Sequence, residues 1–154
     1  MDKLTLLMKS LTRFYAGNCY IDTVKEIVTQ RSDISLRVLD WFITNYSKKY
    51  RIVIEKKNGE LVDVYIRYKL MLKSFSKSTF DPFCRKNKIL FYYNETDCIE
   101  TSCGQLCFFK WCFENDILDY VRANLEEIEK DMKGKKTKRN KCNFGRLASS
   151  KLVF

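Results

Sequence analysis

The sequence predicts an α+β fold, with amino-terminal helices, a small antiparallel sheet packed on a buried helix, then an amphipathic acidic helix and a basic C-terminal tail. Two observations carry that prediction. Apolar residues recur at helical spacing up to residue 47, and from Tyr50 they alternate every second residue. Then the stretch Ser102 to Phe113 is apolar on nearly every side, which only a helix buried all round can satisfy. The chain has 154 residues, 45% hydrophobic and 14% aromatic, with one proline and five glycines. That is enough for one compact domain that buries roughly 70% of its extended-chain surface.

The elements follow in order. Residues 3 to 15 place Leu4, Leu7, Met8, Leu11 and Tyr15 on one helical face, with Asp2 as a cap and Gly17-Asn18 as a stop. Residues 21 to 30 repeat the pattern through Ile21, Val24, Ile27 and Val28. Ser32 or Asp33 is placed to cap a third helix carrying Leu36, Leu39, Phe42, Ile43 and Tyr46.

Tyr50, Ile52 and Ile54 then alternate with charged neighbours, Asn58-Gly59 suits a type I′ turn, and Leu61, Val62, Val64 and Ile66 resume strand spacing. Tyr68 to Phe75 fits a short helical turn, and Phe80 to Arg85 reads as a turn around the only proline. Ile89 to Tyr93 and Cys98 to Thr101 form a second hairpin, giving a four-stranded antiparallel sheet. Ser102 followed by Gln105 is a capping-box pattern for the apolar helix. Asn115 or Asp116 caps one last helix, with Leu118, Val121, Leu125, Ile128 and Met132 on one face and acids on the other. The expected organisation is a single domain over 1–132 (1–47 helical, 48–101 mainly strands, 102–132 helical) and a tail over 133–154.

Charge is unevenly placed. The formal net charge is +10, and it divides into +1 over residues 1–47, +8 over 48–88, −7 over 89–131 and +8 over 132–154. In the tail, Lys133, Lys135, Lys136, Lys138, Arg139 and Lys141 fall together without an acid, and Arg146 follows. Self-repulsion should hold that stretch extended. Leu152, Val153 and Phe154 add an apolar tip, so the tail reads as a linker with a hook that docks on its own domain or adds a strand to a partner. The central block includes Lys48, Lys49, Arg51, Lys56, Lys57, Arg85, Lys86 and Lys88, interleaved with tyrosines. It reads either as a nucleic-acid face or as an ordinary solvated sheet surface.

Several chemistries are excluded by residue type. The chain has no histidine, which removes His-based triads and His zinc ligands, and its scattered glycines form no phosphate loop. No acid, base and nucleophile converge in the sequence, so no enzyme activity and no cofactor is expected. The seven cysteines are an odd number without a secretory leader, which argues for a reducing compartment. Cys98, Cys103, Cys107 and Cys112 follow C-x4-C-x3-C-x4-C, which can be read as a thiolate metal site but matches no standard zinc knuckle; because Cys107 and Cys112 lie among Phe and Trp, the cysteines read as small core residues, with a redox pair as the competing reading. Glu95, Asp97 and Glu100 read as surface. No apolar run reaches the ~18 residues of a membrane span, so neither a spanning nor a secreted protein is expected.

The segments YIRYKLMLKSFSKSTFDPFCRKNKILFYY and IETSCGQLCFFKWCFENDILDYV, with the Lys-rich linker and apolar end, resemble a small basic protein family of the nucleocytoplasmic large DNA viruses. The resemblance rests on an FDPFCR turn and a TxxGQLxFFxW helix and covers about 110 residues from Trp41; residues 1–40 add nothing to it. It implies a virion or virus-factory protein in the host cytoplasm. The expectation is a non-enzymatic structural or interaction protein of the particle, minor capsid or capsid-associated, docking through its opposed charge blocks and tail onto other capsid proteins or itself. The alternative is a nucleic-acid-binding protein that packages or condenses viral DNA through the tail.

Overall fold

The computed structural model describes residues 2–17, 19–75, 79–84 and 86–138, with side chains to 134. It is α+β, and each element has a local cause. Helix α1 (Lys3–Tyr15) starts because the Asp2 carboxylate accepts the Thr5 N–H at 2.8 Å, a hydrogen bond that also holds the Asp2 carboxyl below its ordinary pKa. It stops before Gly17, whose φ of 73° no helix allows. Helix α2 (Tyr20–Val28) buries Ile21, Val24 and Ile27.

Helix α3 (Leu36–Trp41) is capped by Ser35, whose Oγ accepts the Val38 N–H at 3.1 Å, rather than by Ser32 or Asp33. Ser32 is occupied one turn earlier, accepting the N–H of Ile34. The helix passes through a π turn at Phe42–Tyr46 and ends as α4 (Ser47–Lys49).

The first hairpin pairs β1 (Val53–Glu55) with β2 (Leu61–Asp63), Ile54 opposite Val62. Its turn is not type I′. Gly59 alone takes positive φ (89°) while Asn58 does not, and Lys56 bonds Gly59 and Glu60 in the three-residue loop with a glycine bulge. Val64 and Ile66, expected to continue the strand, instead open helix α5 (Val64–Ser74), because the Asp63 carboxylate accepts the Ile66 N–H at 3.2 Å and caps it.

Strands β3 (Lys88–Tyr92) and β4 (Cys98–Ser102) form the second hairpin. The expected four-stranded sheet is therefore two separate two-stranded sheets. With β2 ended after three residues by the Asp63 cap, no strand of the first hairpin is long enough to serve β3, and each hairpin enters the core by its own inner residues: Ile54 for the first, Phe91 and Ile99 for the second.

Helix α6 (Cys103–Glu114) is the centre of the molecule. Ser102 Oγ accepts the Gln105 N–H at 3.1 Å, and nine of the helix's residues are buried. Tyr15 of α1 reaches across to donate its hydroxyl to the Leu106 carbonyl at 2.8 Å, and burial pushes its pKa up.

The expected single last helix is two, α7 (Ile117–Ala123) and α8 (Leu125–Lys138). Asn124 breaks them by turning its side-chain amide back onto the Tyr120 carbonyl at 2.9 Å. The tail expectation changes as well, because residues 133–138 are helical, not extended. With Glu126 and Glu127 in its first turn and lysines in its last, α8 is charged in the sense that its dipole favours. Among the described residues no helix is long and apolar enough to cross a membrane.

If α6 organises the core, Phe108→Ala should lower unfolding free energy by about 3–5 kcal/mol, and Tyr15→Phe by about 1 kcal/mol. Urea denaturation of both variants, at an unchanged m-value, measures this.

Candidate interaction site

The two motifs that stood out in the sequence form one structure. The Phe80–Cys84 turn is clamped to the start of α6. Asp81 donates its N–H to the Gly104 carbonyl at 3.1 Å, Gln105 donates its side-chain amide to the Pro82 carbonyl at 2.8 Å, and Thr101 donates its hydroxyl to the same Gln105 side chain at 2.6 Å. The capping box is thus half made, since the Gln105 side chain serves the turn instead of the Ser102 N–H. The Phe80 ring packs on Phe108 and Trp111, centroids 5.6 and 5.9 Å away. Beside the clamp lies a cleft of about 630 Å³, walled by Leu36, Phe83, Cys84 and Gln105 and edged by Arg37, Lys88 and Glu100.

The central basic block is divided. Lys49 bonds Asp131 at 2.8 Å, Lys56 and Arg67 meet Glu60 at 3.3 and 2.9 Å, and Lys57 meets Asp119 at 3.5 Å. Glu60 belongs to the basic block itself, so only the Lys49–Asp131 and Lys57–Asp119 pairs set the +8 block against the −7 block. Lys48 and Arg51 share a notch of about 230 Å³ with Tyr65, and Lys48 and Lys69 lie over the Tyr65 ring at 5.5 and 5.9 Å. Lys86 lies in the bend before β3, Lys88 opens that strand, and Arg85 lies outside the described residues. Of the expected nucleic-acid residues, Lys48 and Arg51 share that notch, and Lys49, Lys56 and Lys57 are held in ion pairs.

Sequence reasoning missed Asp131. This carboxylate, 8% exposed, accepts the Trp41 indole N–H at 2.9 Å, the Lys49 ammonium at 2.8 Å and the Tyr50 hydroxyl at 3.3 Å. Burial lowers the Lys49 pKa, but the hydrogen bond and charge of Asp131 outweigh it, so the net shift is upward. Burial, then the Asp131 charge, raises Tyr50. Also missed were the outward residues of the hairpins, Val53 and Leu61 on one, Leu90 and Tyr92 on the other, all exposed. The signal was available: in β1, β2 and β3 solvent-side positions of the alternation hold large apolar residues where polar ones are usual.

A family model described as a family of unknown function, DUF7197, matches residues 1–152. The chain belongs to this family. A relative, "Uncharacterized protein L507" of Acanthamoeba polyphaga mimivirus, is 44% identical over 149 residues, covering 90% of this chain and 56% of that protein. The chain thus spans about half the length of the curated relative it matches. No solved structure matches. The family match takes in residues 1–40, so the DUF7197 pattern includes the amino-terminal helices that the motif resemblance left out.

In this DUF7197 chain Cys103, Cys107 and Cys112 are buried along α6, as the core reading expected. Cys107 and Cys103 hydrogen-bond to each other, which raises the Cys107 pKa and lowers that of Cys103, and burial raises Cys112. Cys19 is exposed, and Cys84 and Cys98 are half-buried. Among the described residues no group of three or more Cys, Asp or Glu is placed to hold a metal ion. Of the tail residues, Lys133 is exposed on α8, and Lys135, Lys136 and Lys138 lie in its last turns. Arg139, Lys141, Arg146, Leu152, Val153 and Phe154 lie outside the described residues.

Iodoacetamide under native conditions should label Cys19 first and leave Cys107 and Cys112 unmodified until denaturant is added, as read by peptide mass spectrometry.

Asp131→Ala should cost about 2 kcal/mol, because it removes the acceptor shared by Trp41, Lys49 and Tyr50. The pH dependence has a definite sign. Lys49 and Tyr50 both have raised pKa values, so their contribution is complete below the ordinary lysine and tyrosine values and is lost as pH rises through the folded ones. Thermal melts should fall above about pH 10, less steeply in Asp131→Ala, which has already lost the Lys49 partner.

Proposed function

We propose that this protein is a non-enzymatic structural or interaction protein of a large DNA virus particle, minor capsid or capsid-associated, working in the virion and the cytoplasmic virus factory. The observation that carries this reading is the outer surface of the two hairpins. Val53 (51% exposed), Leu61 (65%), Leu90 (60%) and Tyr92 (57%) present large apolar side chains from short, otherwise charged sheets. A protein with no partner gains nothing from such positions and risks aggregation through them, whereas a docking surface uses them as its apolar centre with a charged rim. Lys88 and Glu100 supply that rim on the second hairpin. The partner is another virion or capsid protein, or a further copy of this chain. The giant-virus relative supports the setting.

A second reading, DNA packaging, is favoured by one local feature. Tyr65, with Lys48 and Lys69 over its ring and Arg51 in the same notch, joins an aromatic to cations as single-strand and backbone binders do, and residues 132–154 add eight positive charges.

One pair of measurements separates the two. For the particle reading, the protein should remain with capsid shells after nucleoid extraction, and Leu90→Lys with Tyr92→Lys should release it while leaving its circular dichroism unchanged. For the packaging reading, the full chain should bind labelled duplex with a log-log salt slope near −5 to −7, from roughly six to eight neutralised phosphates. Retention in shells with no salt-dependent DNA binding supports the first; a steep slope with loss from the shells overturns it.

A further inference from the structure

Helix α5 carries apolar residues on two opposite faces, and the core takes only one of them. Val64 is buried, and Tyr68, Met71, Leu72 and, just past the helix end, Phe75 pack against the core. At about 100° per residue, Ile66 and Leu70 stand on the far side of the helix from that group. They are 54% and 53% exposed. Four residues apart, they lie one above the other and form a short aliphatic ridge.

The ridge is rimmed by positive charge. Lys69 and Lys73, also four residues apart, are exposed beside it, and Lys48 and Arg51 share the notch that Ile66 and Tyr65 border at its amino-terminal end. Among the described residues none of these four cations is held in an ion pair. Helix α5 has no acid of its own. The two acids that precede it are engaged, Asp63 as its cap and Glu60 with Lys56 and Arg67.

That combination selects among partners. A nucleic-acid backbone suits the cations but offers little to Ile66 and Leu70, and the ridge carries no ring on which a base stacks. A bilayer with anionic lipids uses both features: aliphatic side chains enter the boundary between headgroups and acyl chains, and lysines reach sideways to the phosphates. Tyr65, with Lys48 and Lys69 over its ring at 5.5 and 5.9 Å, adds a phenol of the kind enriched at that boundary. With eleven residues against the ~20 of a span, α5 suits the plane of the surface rather than a crossing.

We propose that α5 docks the protein on a membrane surface that carries anionic lipids, with Ile66 and Leu70 inserted and Lys48, Arg51, Lys69 and Lys73 on the headgroups. The proposal goes beyond the particle reading above and does not rest on it, since Ile66 and Leu70 belong to neither hairpin.

Sedimentation of the full chain with phosphatidylcholine vesicles, with and without about one-quarter phosphatidylserine, tests it. The wild type should sediment with the phosphatidylserine vesicles and stay in solution with phosphatidylcholine alone. Ile66→Gln with Leu70→Gln keeps good helix formers on the solvent side. It should weaken vesicle binding by about tenfold or more, with circular dichroism and binding to labelled duplex unchanged. Lys69→Gln with Lys73→Gln should weaken it by about fivefold for each lysine. Equal vesicle binding by the wild type and the Ile66→Gln, Leu70→Gln variant overturns the proposal, because the chain's positive charge alone then accounts for the binding. An equal loss of duplex and vesicle binding in that variant overturns it in favour of nucleic acid. A wild-type dimer that the same variant makes monomeric overturns it in favour of a second copy. Shell retention reads Leu90 and Tyr92, so the two readings fail separately.

Discussion

A helix that is apolar on all sides cannot rest on one neighbour, and that constraint shapes this molecule. Helix α6 carries Leu106, Cys107, Phe108, Phe109, Trp111 and Cys112 around its whole circumference, all buried. Each face must therefore be covered by something different. Tyr15 of α1 covers one side, anchored by its bond to Leu106. Phe80 and the turn behind it cover another, and Tyr68 of α5 approaches Trp111 on the same flank, centroids 6.1 Å apart. The hairpins, short as they are, suffice because each contributes inner residues to a core organised by a helix rather than by a sheet.

Polar anchors then set the position of the layers around that helix. The Gln105 side chain is buried, and its amide ties the turn to the helix start, so the turn's place is determined by hydrogen bonds that would be costly to leave unmade. Asp131 does the same for the last helix, gathering an indole, an ammonium and a phenol from the segment 41–50. The sequence-level division of charge into opposed blocks thus has a use within the single chain: it brings the acidic carboxyl-terminal helices against the basic middle.

Much of the local structure was legible because its causes are local. The Asp2 cap, the Ser102 cap, the positions of the hairpin turns though not the type of the first, and the buried character of Ser102 to Phe113 all follow from residues within a few positions of each other. Three features were not. Val62-Asp63-Val64 alternates like a strand, and only the outcome shows that the aspartate starts a helix. Asn124 is unremarkable in the apolar stripe of 117–132, yet its side chain finds a carbonyl and splits the helix. The four-stranded sheet assumed that adjacent hairpins pair, which needs strands longer than β2. For the candidate site, the types of residue were visible but not their company: nothing in the order of Lys49 and Asp131, 82 positions apart, announces a contact.

The π turn at Phe42–Tyr46 has a consequence for phase. A residue inserted into a helix advances everything after it by about 100° around the axis. Ser47 to Tyr50 therefore sit one residue's rotation away from where an uninterrupted helix from Leu36 would leave them. In the observed setting Trp41, before the turn, and Lys49 and Tyr50, after it, all meet the one carboxylate of Asp131. Loss of a single residue between 42 and 46 would restore an ordinary helix and leave that trio on one face, whereas loss of a residue from the regular turns on either side would swing its second half about 100° off its partner. A one-residue gap within those five positions is therefore compatible with the same docking of the last helix, and a gap elsewhere between Leu36 and Tyr50 is not.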